Sequence, residues 1–305
     1  MERIIGVIST VLPVAIALLL GVLCRKKSIV SAEGIAALRR IAVDITLPAV
    51  VLNAFASASY DRNSIIIPLV MFGVCCLGLA VGVLLSRVLK LSGRLTPYLF
   101  TGFEAGMLGY ALFSMLLHGE RPSDFAIVDL GQALFVFTVY KALLAGRGSA
   151  KTLLREAFLS TTLWAIGAGL LIGATGAYQW LADRGIASIL DACTDFVSAP
   201  TGMLILLSIG YDLVLKDISW KRTAAQAAVR FGIMGVLLAG VLLLNKFVLG
   251  GIINNTALIL MFLLPPPYVL PVFAGQEDER ASISSSLSAM TAISLILFAV
   301  LCAFV

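Results

Sequence analysis

Apolar stretches of about 20 residues, the length that crosses the hydrocarbon core of a bilayer as a helix, recur along the whole chain and are separated by short polar segments. The composition agrees, because 13% of the residues are charged whereas soluble domains contain roughly 25%. A membrane β-barrel would alternate apolar and polar residues in segments of about 10, and these stretches do not alternate. The pattern therefore predicts an all-α integral membrane protein that passes the lipid bilayer many times.

Hydropathy and chain breaks together predict ten transmembrane helices. The first apolar stretch lacks the basic start and the small-residue cleavage site of a signal peptide, so it is interpreted as a retained helix. The ten predicted spans are residues 4–24, 34–58, 64–88, 96–117, 124–145, 156–181, 187–213, 222–248, 253–275 and 280–304.

Basic residues are distributed unevenly between the two sets of connecting segments. Thirteen follow spans one, three, five, seven and nine, whereas five lie on the opposite side. Cytoplasmic loops carry an excess of Lys and Arg, so we expect a protein of the cytoplasmic (inner) membrane with both termini outside. The first group is Arg25, Lys26, Lys27, Arg87, Lys90, Arg94, Arg147, Lys151, Arg155, Lys216, Lys221, Arg222 and Arg280, and the second is Arg3, Arg62, Arg121, Arg184 and Lys246.

Four further basic residues, Arg39, Arg40, Lys141 and Arg230, lie inside predicted spans. All four fall towards the predicted cytoplasmic ends, where long side chains are expected to extend to the interface. Membrane topology thus accounts for the basic residues, and the net charge of +5 does not indicate a nucleic-acid partner.

Two segments of similar pattern, residues 44–61 and 195–212, indicate an internal repeat. Each contains an acid, a mid-span proline, an apolar run and a Tyr-Asp pair at its end. Because each half has an odd number of spans, five, the second half must cross the membrane in the opposite sense, as in many secondary transporters. The sequence therefore predicts two inverted five-helix repeats, residues 1–148 and 149–305.

Predicted spans four and nine are interrupted near their middles. Glycines surround Glu104 in span four, and three consecutive prolines lie halfway along span nine. Proline lacks the backbone donor and clashes with the preceding turn, and carbonyls freed in hydrocarbon need partners in protein or in a water-filled cavity. Either break alone is compatible with helix packing, but together they predict a discontinuous crossover. The candidate substrate-binding residues are Glu104, Gly106, Gly109, Tyr110, Pro265, Pro266, Pro267 and Tyr268.

Further polar residues lie on the predicted spans beside the crossover. Asp129 and Gln132 share a helix face at spacing i, i+3 and either orient the break in span four or form a structural hydrogen bond. In span ten, Ser284 and Ser288 follow helical spacing with Thr291. They either line a pore or bond to their own preceding turn.

Residues 12–56, 105–113 (AGMLGYALF) and 264–288 (which open with LPPPYVLP) resemble the auxin efflux carrier superfamily, which includes bacterial malate and malonate permeases and plant PIN carriers. The resemblance covers essentially the whole chain. It implies a ten-helix fold with a scaffold of helices one, two, six and seven and a transport part of the remaining helices. It also implies a homodimer and the export or import of small organic anions.

Glu104 and Ala111 stand where that family usually carries Asn and Pro. A broken helix exposes the N-terminal end of its second half, which attracts negative charge. An ionised Glu104 would compete there with a substrate carboxylate, so we hypothesise that protonation of Glu104 admits the anion and couples transport to protons. The alternatives are a permanent cap, a partner to a basic side chain, or direct binding of a cationic or zwitterionic substrate.

The expected function is therefore a secondary active transporter that moves a small organic anion or weak acid by alternating access, with proton coupling through Glu104. A sodium-coupled organic anion symporter and a membrane ligand sensor that does not transport are the alternatives. Neither an enzyme nor a cofactor is expected, because no nucleotide-binding, nucleophile or metal motif occurs.

Overall fold

The computed structural model describes residues 2–58, 60, 62–91, 93–117, 122–145, 159–212, 220–274 and 277–304. Within these ranges every regular element is helical and no strand occurs. Seven helices there are long and apolar enough to cross a membrane, and Thr161–Ala174 is a shorter apolar helix. The predicted all-helical class is thus confirmed, and the apolar helices support a multi-pass membrane protein. The seven are Ile8–Lys26, Ile65–Val88, Thr96–Leu116, Pro122–Leu144, Ala187–Asp212, Lys221–Phe247 and Asp278–Cys302.

The first half of the chain contains helices α1 to α7. Ser31 caps α2, since its hydroxyl accepts the Gly34 N–H at 3.1 Å. A π-helical turn, Ala42–Thr46, joins α2 to α3, whose first turn holds Pro48. Proline is tolerated in the first turn of a helix, where the loss of its backbone donor costs least. The helices are α1 Glu2–Lys26, α2 Ala32–Ile41, α3 Leu47–Ala56, α4 Arg62–Val88, α5 Tyr110–Leu116, α6 Pro122–Phe135 and α7 Lys141–Ala145.

The second half contains helices α8 to α14. Gly176 has a positive φ of 71° between α8 and α9, a conformation that favours glycine. Pro200 lies in the break between α10 and α11, as expected from its missing N–H. The helices are α8 Thr161–Ala174, α9 Ala177–Ala182, α10 Ala187–Ser198, α11 Thr201–Asp212, α12 Trp220–Phe247, α13 Asn255–Leu263 and α14 Glu277–Cys302.

Glycines allow the helices to approach one another closely. A Cβ at Gly21 of α1 would lie 2.1 Å from the Leu207 carbonyl oxygen, and one at Gly210 of α11 would lie 2.1 Å from the Leu18 carbonyl oxygen. Helix α3 packs in the same way against α8, where a Cβ at Gly169 would lie 2.9 Å from the carbonyl oxygen of Leu52. Small residues at such crossings let helix backbones meet by van der Waals contact in a bilayer.

Large apolar side chains cover much of the outer surface. Leu19 is 67% exposed, Leu69 66%, Val236 75% and Phe196 85%. Such wide apolar exposure is unusual on a soluble protein and is what lipid-facing helices require.

Candidate functional site

The predicted break in span four is present. A 3-10 helix, Thr96–Phe100, is followed by non-helical residues 101–104, and the chain then resumes through a π-helical turn, Ala105–Gly109, into α5. Gly102 has a φ of +68°, and a Cβ there would meet Pro267 Cγ at 3.0 Å. Glycine is therefore required both by the backbone conformation and by the close approach of the second broken segment.

The predicted break in span nine is also present. Helix α13 ends at Leu263, and the next regular element is the short 3-10 helix Leu270–Phe273. The intervening prolines, Pro265 to Pro267, are all buried. Three successive residues without a backbone N–H explain why the helix stops there.

The two breaks are joined through Glu104, and the place where they meet is here called the crossing. Its backbone N–H donates to the Pro265 carbonyl at 2.9 Å. Its side chain accepts the Met107 N–H on Oε1 at 3.2 Å and the Tyr268 N–H on Oε2 at 2.5 Å. Met107 and Tyr268 lie at the beginning of the second part of each interrupted segment. The carboxyl group thus caps the N-terminal end of the second part of span four, which carries partial positive charge, and it also binds a donor in the turn before the 3-10 helix Leu270–Phe273.

Arg230 of α12 joins the first parts of the same two segments. One guanidinium nitrogen donates to the Leu99 carbonyl at 2.8 Å, and the other donates to Gly102 at 2.9 Å and to Leu264 at 2.8 Å. These carbonyls lie where the preceding helices end, so they carry partial negative charge. The Arg230 side chain is 0% exposed.

The expectation that Arg230 extends to the membrane interface is therefore wrong. Arg230 lies about 15 Å along the axis of α12 from Trp220, and its guanidinium points into the crossing. The physical reason is that the broken segments leave carbonyls without intrahelical partners, and a five-donor guanidinium satisfies three of them. Arg39 extends to a cavity instead and forms an ion pair with Asp212, whereas Arg40 is exposed.

Asp129 and Gln132 of α6 bind the break in span four. Gln132 Nε2 donates to the Phe103 carbonyl at 2.7 Å and lies 3.4 Å from Asp129 Oδ1. The Tyr110 hydroxyl donates to Asp129 Oδ2 at 3.2 Å. The side chains of Asp129 and Gln132 are each 5% exposed. The predicted pairing on one helix face is present, and its contacts hold the non-helical residues of span four against α6.

A cavity of about 470 Å³ lies beside the crossing, within the size range of small-molecule sites. Its walls are mostly apolar, with Arg39 and Lys141 as basic members and Glu104 and Asp129 as acidic members. Of the residues predicted from the sequence, it brings together Glu104, Gly106, Tyr110, Asp129, Gln132, Pro267 and Tyr268.

Ser284 and Ser288 line a second cavity of about 500 Å³, together with Thr291. This cavity shares Arg39, Met107 and Tyr268 with the first. The hydroxyl groups of Tyr268 and Thr291 lie 2.9 Å apart and form a hydrogen bond. The two serines therefore line a cavity that borders the crossing at Tyr268, and they do not line the cavity that contains Glu104.

Three predicted residues contribute to packing around the site. A Cβ on Gly109 would meet Phe125 Cζ at 2.6 Å and Leu264 Cδ1 at 2.8 Å. Pro265 and Pro266 are buried and line neither of these two cavities. Pro265 supports the site through its carbonyl, which accepts the Glu104 N–H.

A third cavity of about 410 Å³ lies further along the same helices. Tyr110 lines both this cavity and the one containing Glu104. Asn53 Oδ1 and Thr201 Oγ1 belong to residues of the third cavity, and neither atom has a hydrogen-bond partner within the described ranges. The side of the crossing at Tyr110 is therefore bordered by two cavities.

Sequence reasoning missed the roles of Arg230 and Arg39. A signal for Arg230 was available, because an ionisable residue inside an apolar span is a functional candidate by default. That argument applies equally to Glu104 and Arg230. For the arginine, however, its place near the predicted end of the span favoured a side chain that extends to the interface. For Arg39, no local signal reveals which cavity its side chain will reach.

Comparisons of the chain with models of known protein families and with curated proteins give no match. Among the residues that the structure describes, no group of three or more His, Cys, Asp or Glu side chains could hold a metal ion.

Proposed function

We propose that the protein is a secondary active transporter that moves a small organic anion or weak acid across the membrane by alternating access. The observation that carries the proposal is the position of Glu104, whose carboxyl group accepts backbone N–H groups from both interrupted segments at once. Crossed half-helices of this kind form the substrate and ion sites of many transporters. Helix ends of opposite partial charge meet at such sites, and they contribute to holding a charged substrate.

The proposal includes ten spans arranged as two inverted repeats, the plan implied by the resemblance to auxin efflux carriers. The order of elements supports it, since in each half a broken segment, 96–116 or 255–273, is followed by a helical segment near the end of that half. The packing supports it as well: α1 packs against α11 and α3 packs against α8. In the ten-span numbering these pairs are one with seven and two with six, which a symmetry that exchanges the halves converts into each other.

An anionic substrate with an apolar body fits the cavity of about 470 Å³. Its walls include Leu47, Phe103 and Ile166, while Arg39 and Lys141 supply positive charge. Guanidinium groups bind carboxylates through paired, charge-assisted hydrogen bonds. In this proposal Arg39 exchanges its contact with Asp212 for the substrate carboxylate.

Proton coupling follows from competition at the crossing. The ionised Glu104 side chain accepts the two N–H groups that an anionic substrate would otherwise use. Protonation removes its negative charge and frees that position for the substrate. The other ionisable and charged groups around the cavity are Asp129, Tyr110, Tyr268, Arg39 and Lys141.

Uptake into proteoliposomes tests the transport function. A panel of labelled organic acids is offered with and without a pH gradient to the wild type, Arg39→Gln and Arg40→Gln. We expect at least one acid to accumulate, and we expect Arg39→Gln to lower its uptake about tenfold through the loss of a charge-assisted hydrogen bond. Arg40→Gln is the matched control, because this neighbouring arginine is exposed and lines neither cavity beside the crossing.

The outcomes separate the candidate functions. Equal uptake by the two arginine variants would remove Arg39 from the binding site. Binding of an acid without any accumulation would contradict transport and favour the membrane ligand sensor.

A further inference from the structure

We infer that Arg230 is a built-in cation at the crossing, which takes the place that a bound sodium ion occupies in transporters coupled to sodium. The inference concerns the ion requirement of the proposed transport function and rests on it in one of the two experiments below. The other experiment measures the protein without transport.

The ligand set of Arg230 is the one that a monovalent cation would use. Its three acceptors, Leu99, Gly102 and Leu264, are backbone carbonyls of two different interrupted segments, at 2.8 to 2.9 Å. In broken-helix transporters such freed carbonyls and helix C-terminal ends coordinate sodium. Here a guanidinium bound covalently to α12 occupies the position between them.

The positive charge of Arg230 is stabilised by the dipoles of these carbonyls. Among the residues described, no carboxylate forms an ion pair with it. Arg230 Nε has no hydrogen-bond partner in the described ranges. The side chain therefore behaves as a cation solvated by carbonyl dipoles, which is also how a filter or transporter holds a metal cation.

Glu104 and Arg230 complement each other at the crossing. The carboxyl group binds donors at the start of each second part, and the guanidinium binds acceptors at the end of each first part. The negative group thus meets backbone N–H donors of both segments, and the positive group meets backbone carbonyl acceptors of both segments. The crossing is held together by the chain's own groups, without an ion from solution.

Thermal unfolding of the purified protein in detergent tests the inference directly. The wild type is expected to have the same melting temperature in sodium chloride and in choline chloride at equal ionic strength. Arg230→Ala should lower the melting temperature by roughly 5 to 10 °C, since it leaves buried carbonyls unpaired. Guanidinium ion at low millimolar concentration, far below its denaturing range, should restore part of that loss, and sodium should stabilise this variant more than choline does.

Arg40→Ala is the matched control, because it removes an exposed arginine and should respond to neither cation. Selective stabilisation of the wild type by sodium would overturn the inference. So would an Arg230→Ala protein as stable as the wild type, or a destabilised variant that guanidinium and sodium leave unchanged. If Arg230→Ala does not fold, Arg230→Lys provides the test, because it keeps the charge and should retain sodium independence.

Uptake by the wild type gives the second readout. The rate for the best acid of the panel should be the same with external sodium and with external choline, and a sodium requirement would contradict the inference. Because the melting temperatures need no substrate, a failure of the transport proposal and a failure of the cation assignment are distinguishable.

Discussion

Glu104→Gln is expected to transport the substrate without responding to a pH gradient. A gradient of one pH unit stores about 1.4 kcal/mol per proton, so a coupled wild type can accumulate the substrate up to about tenfold. The amide is uncharged, like the protonated acid, and it does not titrate, so the anion is admitted at every pH and no proton is carried with it. Uptake by the variant should therefore be similar with and without the gradient.

The crossing should remain assembled in this variant. The Gln oxygen can accept one of the two backbone N–H groups that Glu104 binds, Met107 or Tyr268. The other N–H then lacks its acceptor, which costs about 1 to 3 kcal/mol and should lower the melting temperature. The measurement is proteoliposome uptake at matched protein levels, with melting temperatures recorded in parallel.

Asp129→Asn is the matched control for Glu104→Gln. Asp129 is the other acid that lines the cavity, and it is hydrogen-bonded to Tyr110 and lies near Gln132. We expect this variant to keep its response to the gradient. The reverse result, with coupling lost in Asp129→Asn and kept in Glu104→Gln, would move the proton site to Asp129. If both variants respond as the wild type does, Glu104 is a structural cap.

Gly131→Ala is expected to prevent assembly of the helices. A Cβ at this position of α6 would lie 2.0 Å from the Pro68 carbonyl oxygen and 2.9 Å from Met71 Cβ. The first contact is with backbone, so α4 and α6 would have to separate. Overpacking of this severity costs at least about 3 kcal/mol, which outweighs the helix propensity that alanine gains over glycine, about 1 kcal/mol.

The measurement is the yield of monodisperse protein and its melting temperature. Gly73→Ala is the matched control on α4, because a Cβ there meets nothing within 4 Å. That variant should be as stable as the wild type or slightly more stable. A Gly131→Ala protein with wild-type yield and melting temperature would show that α4 and α6 do not pack as closely as described.

Several features of the fold follow from local properties of the chain. Length and apolarity identify helices that can cross a membrane, because the hydrocarbon core sets a minimum length. Proline lacks a backbone donor wherever it occurs, so the break at Pro265 is readable from the residues without knowledge of their neighbours. The glycines around Glu104 indicated the second break for a different reason, because glycine has a low helix propensity and can adopt the positive φ found at Gly102.

The contacts between the breaks depend on which helices meet, and no local pattern records that. Glu104 accepts the Tyr268 N–H across a separation of 164 residues, and Arg230 reaches Leu99 across 131. If α12 were rotated about its axis, the same arginine would point away from the two breaks. Its burial follows from the carbonyls that the two breaks leave unpaired at one point in space. Local chemistry thus determined that the helices break, and packing determined which charges satisfy the broken ends.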